Sequence, residues 1–198
     1  MKLDINVFGY IVMGFVLLMC LKIYQESETF NLKCIVSNVD GNKYCVRERS
    51  KIQLVADLLA KVTNKLKILV KHLKKKYPDR DNVDRLHTGF EPKEIYEILP
   101  TSKYTAYSEN KGEKLAFCVT KKKHGNSLID ENTLTFVALH ELSHIATKSV
   151  GHTSEFWNNF KFILKEAVKK NLYNPINYKE TPTSYCSMKI TDNPYYDM

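Results

Sequence analysis

The sequence predicts an α+β protein with an N-terminal transmembrane helix, on three observations. A nearly unbroken apolar run extends from Ile5 to Leu21. A β-hairpin pattern over residues 33–47 leads into a long amphipathic helix at about 50–76. A second apolar helix, at about 131–148, contains two histidines four residues apart. Because 198 residues allow one compact domain plus an extension, we expect three parts: an anchor at 1–24, a spacer at 25–32 and a single domain at 33–198.

The apolar run from Ile5 to Leu21 has the composition of a membrane-spanning helix. At ~1.5 Å per residue its length is near the short end of what crosses a bilayer. Lys2 and Lys22 bracket it, and no small-residue cleavage site follows Cys20. We therefore expect a single-pass membrane protein with an uncleaved anchor rather than a signal peptide. Basic residues are more numerous on the carboxyl side of the run, which favours a cytoplasmic location for the domain.

The predicted hairpin at 33–47 surrounds a turn rich in Asn, Asp and Gly. Cys34 and Cys45 flank this turn near opposite positions of the two strands. They form either a disulfide, in an oxidising compartment, or two buried thiols, and the sequence leaves both alternatives open. Cys118 and Cys186 are predicted to be buried thiols rather than metal ligands.

The helix predicted at about 50–76 has two different faces. One face carries apolar residues at alternating spacings of three and four, which predicts a core-facing stripe. The other face is basic, with nine Lys or Arg residues against Asp57, a surplus equal to the formal net charge of +8 of the whole protein. The segment Lys61–Lys76 could contact anionic lipid or nucleic acid. A solvated face is favoured, because no aromatic residues alternate with the lysines.

The remaining elements follow from shorter patterns. The sequence contains no glycine-rich phosphate loop and no nucleophile elbow, so neither a nucleotide-phosphate site nor a serine-hydrolase site is predicted. Asp130 is expected to cap the helix at about 131–148. The other expected elements are short helices and turns at 81–100, strands at 104–107 and 115–120, a last helix at about 153–172, and a tail at 173–198 that wraps over the domain.

The pair His140 and His144 lies in the pattern H-E-x-x-H, inside an apolar stretch. On a helix, residues four apart lie on one face, so the two imidazoles can bind the same metal ion. Glu141 lies beside them and can reach a water molecule held by that ion. Two histidines and a glutamate on a buried helix are unfavourable unless they are paired or bound to metal. The pattern therefore predicts a zinc site.

Catalytic zinc usually has a third protein ligand, for which the sequence offers His152 and, as the alternative, Glu155. Gly151 favours a chain reversal, and Thr153 can cap the following helix. His152 then lies in the corner between two helices, from where its ring can turn back towards His140. We therefore expect His152 as the third ligand.

The run His140–His144, together with Gly151-His152 and Phe156-Trp157, resembles the WLM and SprT-like zinc metallopeptidases of the type found in large DNA viruses. The flanking runs 130–139 and 185–192 are similar as well. The resemblance implies a zincin-like minimal metallopeptidase domain, with an active-site helix and a small antiparallel sheet. It implies that the strand at 115–120 binds the substrate backbone. It also implies Zn²⁺ as the cofactor, Glu141 as the catalytic carboxylate, and three zinc ligands: His140, His144 and His152.

These observations together predict a membrane-anchored zinc metallopeptidase that hydrolyses peptide bonds of a protein or peptide substrate with an activated water. A tyrosine could stabilise the oxyanion, and the sequence does not select among Tyr107, Tyr178 and Tyr185. The alternative is a non-catalytic, zinc-stabilised binding module that uses its basic helix to contact anionic lipid or nucleic acid.

Overall fold

The computed structural model describes residues 7–29, 32–93 and 95–197. A long N-terminal helix is followed by a mixed α+β domain. The helices are α1 (Val7–Thr29), α2 (Ile52–Lys76), α3 (Asp81–Gly89), α4 (Glu131–Ala146) and α5 (Ser154–Lys169). The strands are β1 (Leu32–Val36), β2 (Lys43–Arg47), β3 (Ile95–Glu97), β4 (Ala106–Glu109), β5 (Lys114–Phe117), β6 (Thr183–Tyr185) and β7 (Met188–Ile190). A short 3-10 helix spans Pro194–Tyr196.

Helix α1 is long and apolar enough to cross a membrane. Its segment Val7–Tyr24 has a mean hydropathy of 2.1, and none of it is buried against the protein. The helix continues to Thr29, so the predicted spacer is partly helical rather than a separate polar segment. Lys2 and the rest of the predicted anchor before Val7 lie outside the described residues, as do residues 30 and 31 of the predicted spacer.

The main sheet has the strand order β1-β2-β3-β5-β4. Strands β1 and β4 form its edges and pair antiparallel with β2 and β5, whereas β3 is parallel to both of its neighbours. The sheet is therefore mixed, and the prediction of a purely antiparallel sheet is wrong. Within this sheet, the strand that was not predicted is β3, which lies in the segment predicted as helices and turns. Its three residues are too few to show the alternation that identifies a strand.

Helices cover this sheet and complete the core. The apolar stripe of α2 is buried, which confirms its predicted role in the core. Helix α4 contacts three other helices and strands β4 and β5. Twelve of its 16 residues are buried, as expected for a helix that is apolar on nearly all sides. The buried residues of the predicted stripe are Val55, Leu59, Val62, Leu66, Leu69 and Leu73, and Ile52 at its start is partly buried.

Four cysteines form two disulfides, Cys34–Cys45 and Cys118–Cys186. The first joins directly paired residues of β1 and β2, so the structure favours the disulfide alternative there. The second links the end of β5 to the turn between β6 and β7. The prediction that Cys118 and Cys186 are buried thiols is wrong in one respect: both are buried, but they are bonded to each other.

Candidate metal centre

Helix α4 holds the paired histidines and the glutamate in a fixed frame. The helix begins after Asp130, whose Oδ1 accepts a hydrogen bond of 2.8 Å from the amide N–H of Thr133, as the sequence predicts. His140 and His144 lie one turn apart, with 3.2 Å between their Nε2 atoms. Because α4 is packed on most sides, the direction of these two rings is set by the core of the domain.

A tight turn brings His152 to the same point. Gly151 has φ +84°, a left-handed conformation that glycine adopts without steric cost. Thr153 then caps α5 by accepting from the amide of Phe156. The Nε2 atom of His152 lies 3.1 Å from that of His140. The nearest ring nitrogens of His140, His144 and His152 all lie within 4.8 Å of one another.

Glu155, the alternative third ligand, holds the loop before α5 instead. Its carboxylate accepts hydrogen bonds of 3.0 and 3.1 Å from the backbone N–H groups of Lys148 and Ser149, and Arg85 lies 3.3 Å away. The amides of Lys148 and Ser149, followed by Arg85, lower the pKa of Glu155 to about 2. Glu155 therefore stabilises the turn that carries His152 and is not part of the histidine cluster.

Aromatic side chains of α5 pack against the imidazoles. The Phe156 ring lies 4.4 Å from that of His144 and 4.8 Å from that of His140, between centroids. Trp157 lies 5.7 Å from His152, and Phe160 lies 5.2 Å from His140. Tight packing of this kind restricts ligand rotamers and so prepares the ring positions before a metal binds.

The protonation states suit a metal ligand set with an adjacent base. Burial, followed by the charge of the neighbouring histidines, lowers the pKa of His140 to about 3. Burial and His152 lower that of His144 to about 4. Both rings are therefore neutral at pH 7, the form that binds metal. Burial raises the pKa of Glu141 to about 7, near the value at which a general base is most effective.

The spacing of the three rings fits a tetrahedral ion. Zinc–nitrogen bonds of ~2.0–2.1 Å in a tetrahedral site place ligand nitrogens about 3.3–3.4 Å apart. The Nε2 atom of His140 lies 3.2 Å from that of His144 and 3.1 Å from that of His152, close to this value. Three imidazoles leave one position open, as in catalytic zinc sites. His140, His144 and His152 thus fit a bound metal ion, and their role as zinc ligands stays a prediction.

A cleft of about 1160 Å³ opens beside the three histidines and Glu141. Strand β4 lies along it as an edge strand, whereas β5 lies inside the sheet between β3 and β4. The strand predicted to bind substrate, at 115–120, therefore has no free edge. The turn after β4 is fixed to the end of α4, because Lys111 Nζ donates to the carbonyl oxygens of Thr147 and Lys148 at 3.0 and 2.7 Å.

A Cβ atom on Gly112 would lie 2.1 Å from the carbonyl oxygen of Gly89, so this turn packs closely on the end of α3.

Of the three tyrosines that the sequence left open, Tyr107 and Tyr185 line the cleft. Tyr178 lies in the core, with its ring 4.9 Å from that of Phe136. Burial and the nearby Glu141 raise the pKa of the Tyr185 phenol. The hairpin that carries Tyr185 was missed because its turn residues are Cys186 and Ser187 instead of the Asn-Gly type that identifies hairpins in a sequence.

No family model matches the chain. An uncharacterized protein of Acanthamoeba polyphaga mimivirus, R325, is 27% identical over 163 residues, which cover 80% of this chain and 82% of that protein. An uncharacterized protein of Invertebrate iridescent virus 3, 042R, is 34% identical over 83 residues, 42% of this chain and 50% of that protein. Among solved structures, Wss1 from Saccharomyces cerevisiae is similar at a TM-score of 0.48 and 14% identity, over 64% of this chain and 87% of that chain.

The structural likeness is too low to support an argument about activity. The sequence likenesses relate the chain to viral proteins that are themselves uncharacterized.

Proposed function

We propose that the protein is a membrane-anchored zinc metallopeptidase. The observation that carries the proposal is the convergence of three imidazoles beside one buried carboxylate, at the wall of a cleft along which an edge strand lies. Zinc held by His140, His144 and His152 would supply a water of lowered pKa and a positive charge facing the substrate carbonyl oxygen.

Glu141 is the general base in this proposal. Its carboxylate takes a proton from the attacking water and then delivers that proton to the leaving amine nitrogen. Burial raises the pKa of Glu141 to about 7 in the metal-free protein, and the charge of a bound zinc ion would lower it towards the ionised form that accepts a proton from water. Tyr107 and Tyr185 line the same cleft. The Tyr185 hydroxyl donates to the carbonyl oxygen of Thr105, so Tyr107 is the candidate for contact with the oxyanion.

The substrate is proposed to bind as an extended peptide along β4, rather than along the strand at 115–120. Edge strands present unpaired backbone N–H and C=O groups, which pair with an added strand whatever its side chains are. The cleft beside β4 is mainly apolar, with Phe136, Trp157 and Met188 among its walls. This chemistry suits unfolded polypeptide segments that carry apolar side chains.

We infer further that the domain lies on the oxidising side of its membrane. Both disulfides belong to this domain, and disulfides persist in oxidising compartments. This inference replaces the cytoplasmic location favoured by the basic residues after the anchor. Protease added to sealed vesicles should leave residues 32–197 intact until detergent opens the vesicles, and alkaline carbonate should leave the full-length chain in the membrane pellet. Digestion of the domain in sealed vesicles would show that it lies on the opposite side of the membrane. Release of the chain by carbonate would show that α1 does not anchor it.

The basic surface of α2 gives less support to a binding module. Lys65 lies 2.6 Å from Glu131, Lys74 lies 2.7 Å from Asp84, and Lys76 lies 2.9 Å from Glu166. These lysines hold α2 to its neighbouring elements, so their charge is partly neutralised within the fold. Contact of Lys61–Lys76 with anionic lipid or nucleic acid stays a prediction.

The decisive experiment compares Glu141→Gln with wild type on labelled casein. The variant should retain one zinc per chain and lose hydrolysis by at least about a hundredfold, because removal of a general base costs on the order of 10²–10⁴. Glu131→Gln, the same change at the start of α4, is the matched control and should remain active. A Glu141→Gln variant as fast as wild type, or wild-type activity that survives a zinc chelator, would refute the proposal.

A further inference from the structure

Two features show that the β6–β7 hairpin is at best marginally stable by itself. Each strand has only three residues, and isolated two-stranded hairpins are at best marginally stable in water. Its turn residues, Cys186 and Ser187, have φ of +49° and +67°. This left-handed conformation is disfavoured for residues with a Cβ atom. Contacts with the rest of the domain must therefore hold the hairpin in place.

Those contacts converge on the segment after β5. The Cys118–Cys186 disulfide joins the hairpin turn to this segment across 68 residues of sequence. Next to it, the amide N–H groups of Cys186 and Ser187 donate to the carbonyl oxygens of Thr120 and Lys121, each at 2.9 Å. The disulfide is the one covalent link in this set, and both of its cysteines are buried.

The same hairpin fixes the start of the edge strand. The Tyr185 hydroxyl donates to the carbonyl oxygen of Thr105 at 2.8 Å. That oxygen also accepts from the amide of Cys118 at 2.9 Å. Thr105 directly precedes β4, so the hairpin and the disulfide position the first residue of the proposed substrate strand. Tyr185, Met188 and Ile190 in turn line the cleft that contains Glu141.

We propose that the Cys118–Cys186 disulfide is a redox latch that holds the β6–β7 hairpin as a wall of the substrate cleft. When the disulfide is reduced, the hairpin separates from β5 and the start of β4 loses its support. The histidine cluster stays in place, because α4 and the 151–153 turn hold it independently. Tyr185 is a positioning residue in this scheme, since it acts through Thr105 and β4. The predicted effect on hydrolysis rests on the proposed function, whereas the effect on the hairpin does not.

Reduction of the disulfide consumes one phosphine and one water molecule. A water-soluble phosphine reduces the disulfide, and its phosphorus is oxidised to a phosphine oxide with oxygen taken from water. The two sulfur atoms receive two electrons and two protons and become thiols. A phosphine is preferable to a dithiol here, because thiolates are themselves zinc ligands.

The first test is hydrogen exchange of the full chain in detergent, with Cys118→Ala/Cys186→Ala compared with the matched variant Cys34→Ala/Cys45→Ala. We expect the amides of Cys118→Ala/Cys186→Ala at positions 185–187 to exchange at least about tenfold faster than in wild type. The amides of α4 should keep their protection. The matched variant should keep wild-type exchange in the hairpin. Equal protection of the hairpin in all three proteins would overturn the latch.

The second test measures hydrolysis of labelled casein by the same proteins. Cys118→Ala/Cys186→Ala should raise KM about tenfold and change kcat less than threefold, with one zinc still bound per chain. Tyr185→Phe, which keeps the ring and removes the hydrogen bond to Thr105, should raise KM in the same direction but less. A loss of kcat with unchanged KM would overturn the positioning role.

Two outcomes separate the latch from the proposed function. If wild type does not hydrolyse casein, the metallopeptidase proposal fails, and the exchange measurement still decides the latch. If Cys118→Ala/Cys186→Ala does not fold, we use wild type reduced with phosphine instead. Reduction is complete when Cys118 and Cys186 react with an alkylating agent. Fast hairpin exchange in that sample supports the latch, and unchanged exchange overturns it.

Discussion

The two edges of the main sheet are built from different kinds of contact. At the β1 edge, the partner strand follows after a short turn, and Cys34 and Cys45 are 11 residues apart. At the β4 edge, the cleft wall combines α4, the 149–152 turn and the C-terminal hairpin, and Cys118 and Cys186 are 68 residues apart. The first edge is a local structure, whereas the second exists only when distant segments have come together. The proposed chemistry belongs to the second.

The largest expected effect is the loss of disulfide stabilisation, and its size should differ between the two edges. Closing a loop removes more entropy from the unfolded chain when the loop is longer. The loop model gives about 4 kcal/mol for Cys118–Cys186 and about 3 kcal/mol for Cys34–Cys45. Replacing each pair by alanines should therefore destabilise the full chain more at the β4 edge, as measured by urea unfolding in detergent with a zinc chelator. An equal loss of stability in the two variants, or a larger loss for Cys34→Ala/Cys45→Ala, would contradict the distinction between the edges.

A smaller effect should appear in how stability depends on pH. Glu141 has a raised pKa of about 7, so the folded state keeps a proton that the unfolded state releases above about 4.5. This group therefore lowers stability as pH rises from about 4.5 to 7. Glu141→Gln removes this pH-dependent contribution to stability. At pH 4.5, the other contacts of residue 141 determine the difference in free energy of unfolding between the metal-free variant and metal-free wild type. Between pH 4.5 and pH 7 this difference should shift by roughly 3 kcal/mol in favour of the variant.

His140 and His144 also make the free energy of unfolding depend on pH. Their lowered pKa values make stability rise with pH from about 3 to about 6.5, and this term is present in both proteins, so it cancels in the difference. Urea midpoints of both proteins across the pH range provide the measurement. A difference that stays constant with pH would show that Glu141 is not buried as described.

The smallest expected effect concerns α2, which packs against β2 near one edge and α4 near the other. Lys65→Gln/Lys76→Gln removes ion pairs with Glu131 and Glu166. Ion pairs at the protein surface contribute little each, so the melting temperature should fall by at most a few degrees with casein hydrolysis unchanged. Lys71→Gln/Lys75→Gln is the matched control and should melt like wild type. A loss of hydrolysis in either variant would place the lysine surface in the active site.

The sequence predicts the local parts of this molecule well. The hairpin at 33–47, the stripe of α2 and the cap at Asp130 each depend on neighbouring residues, and the structure contains all three. The turn at Gly151 belongs to the same group, because one glycine and one capping threonine determine the path that brings His152 towards His140.

The features that the sequence could not predict depend on distant contacts. Strand β3 is a strand because β2 and β5 lie on either side of it, and nothing within its three residues requires this. The Cys118–Cys186 disulfide and the wall formed by Tyr185 require the C-terminal hairpin to pack on β5. Its turn lacks the glycine or asparagine that would have identified it, because tertiary contacts hold Cys186 and Ser187 in left-handed conformations.

The central claim is that His140, His144 and His152 bind one zinc ion at the β4 edge. X-ray absorption and elemental analysis of the full chain, loaded with one equivalent of zinc, test it most directly. We expect one zinc per chain with three nitrogen ligands at ~2.0–2.1 Å, loss of one of these ligands in His152→Ala, and no change in His87→Ala, an exposed histidine outside the cluster. Zinc bound equally well by a His140→Ala/His144→Ala variant, or a wild-type chain that binds none, would contradict the account.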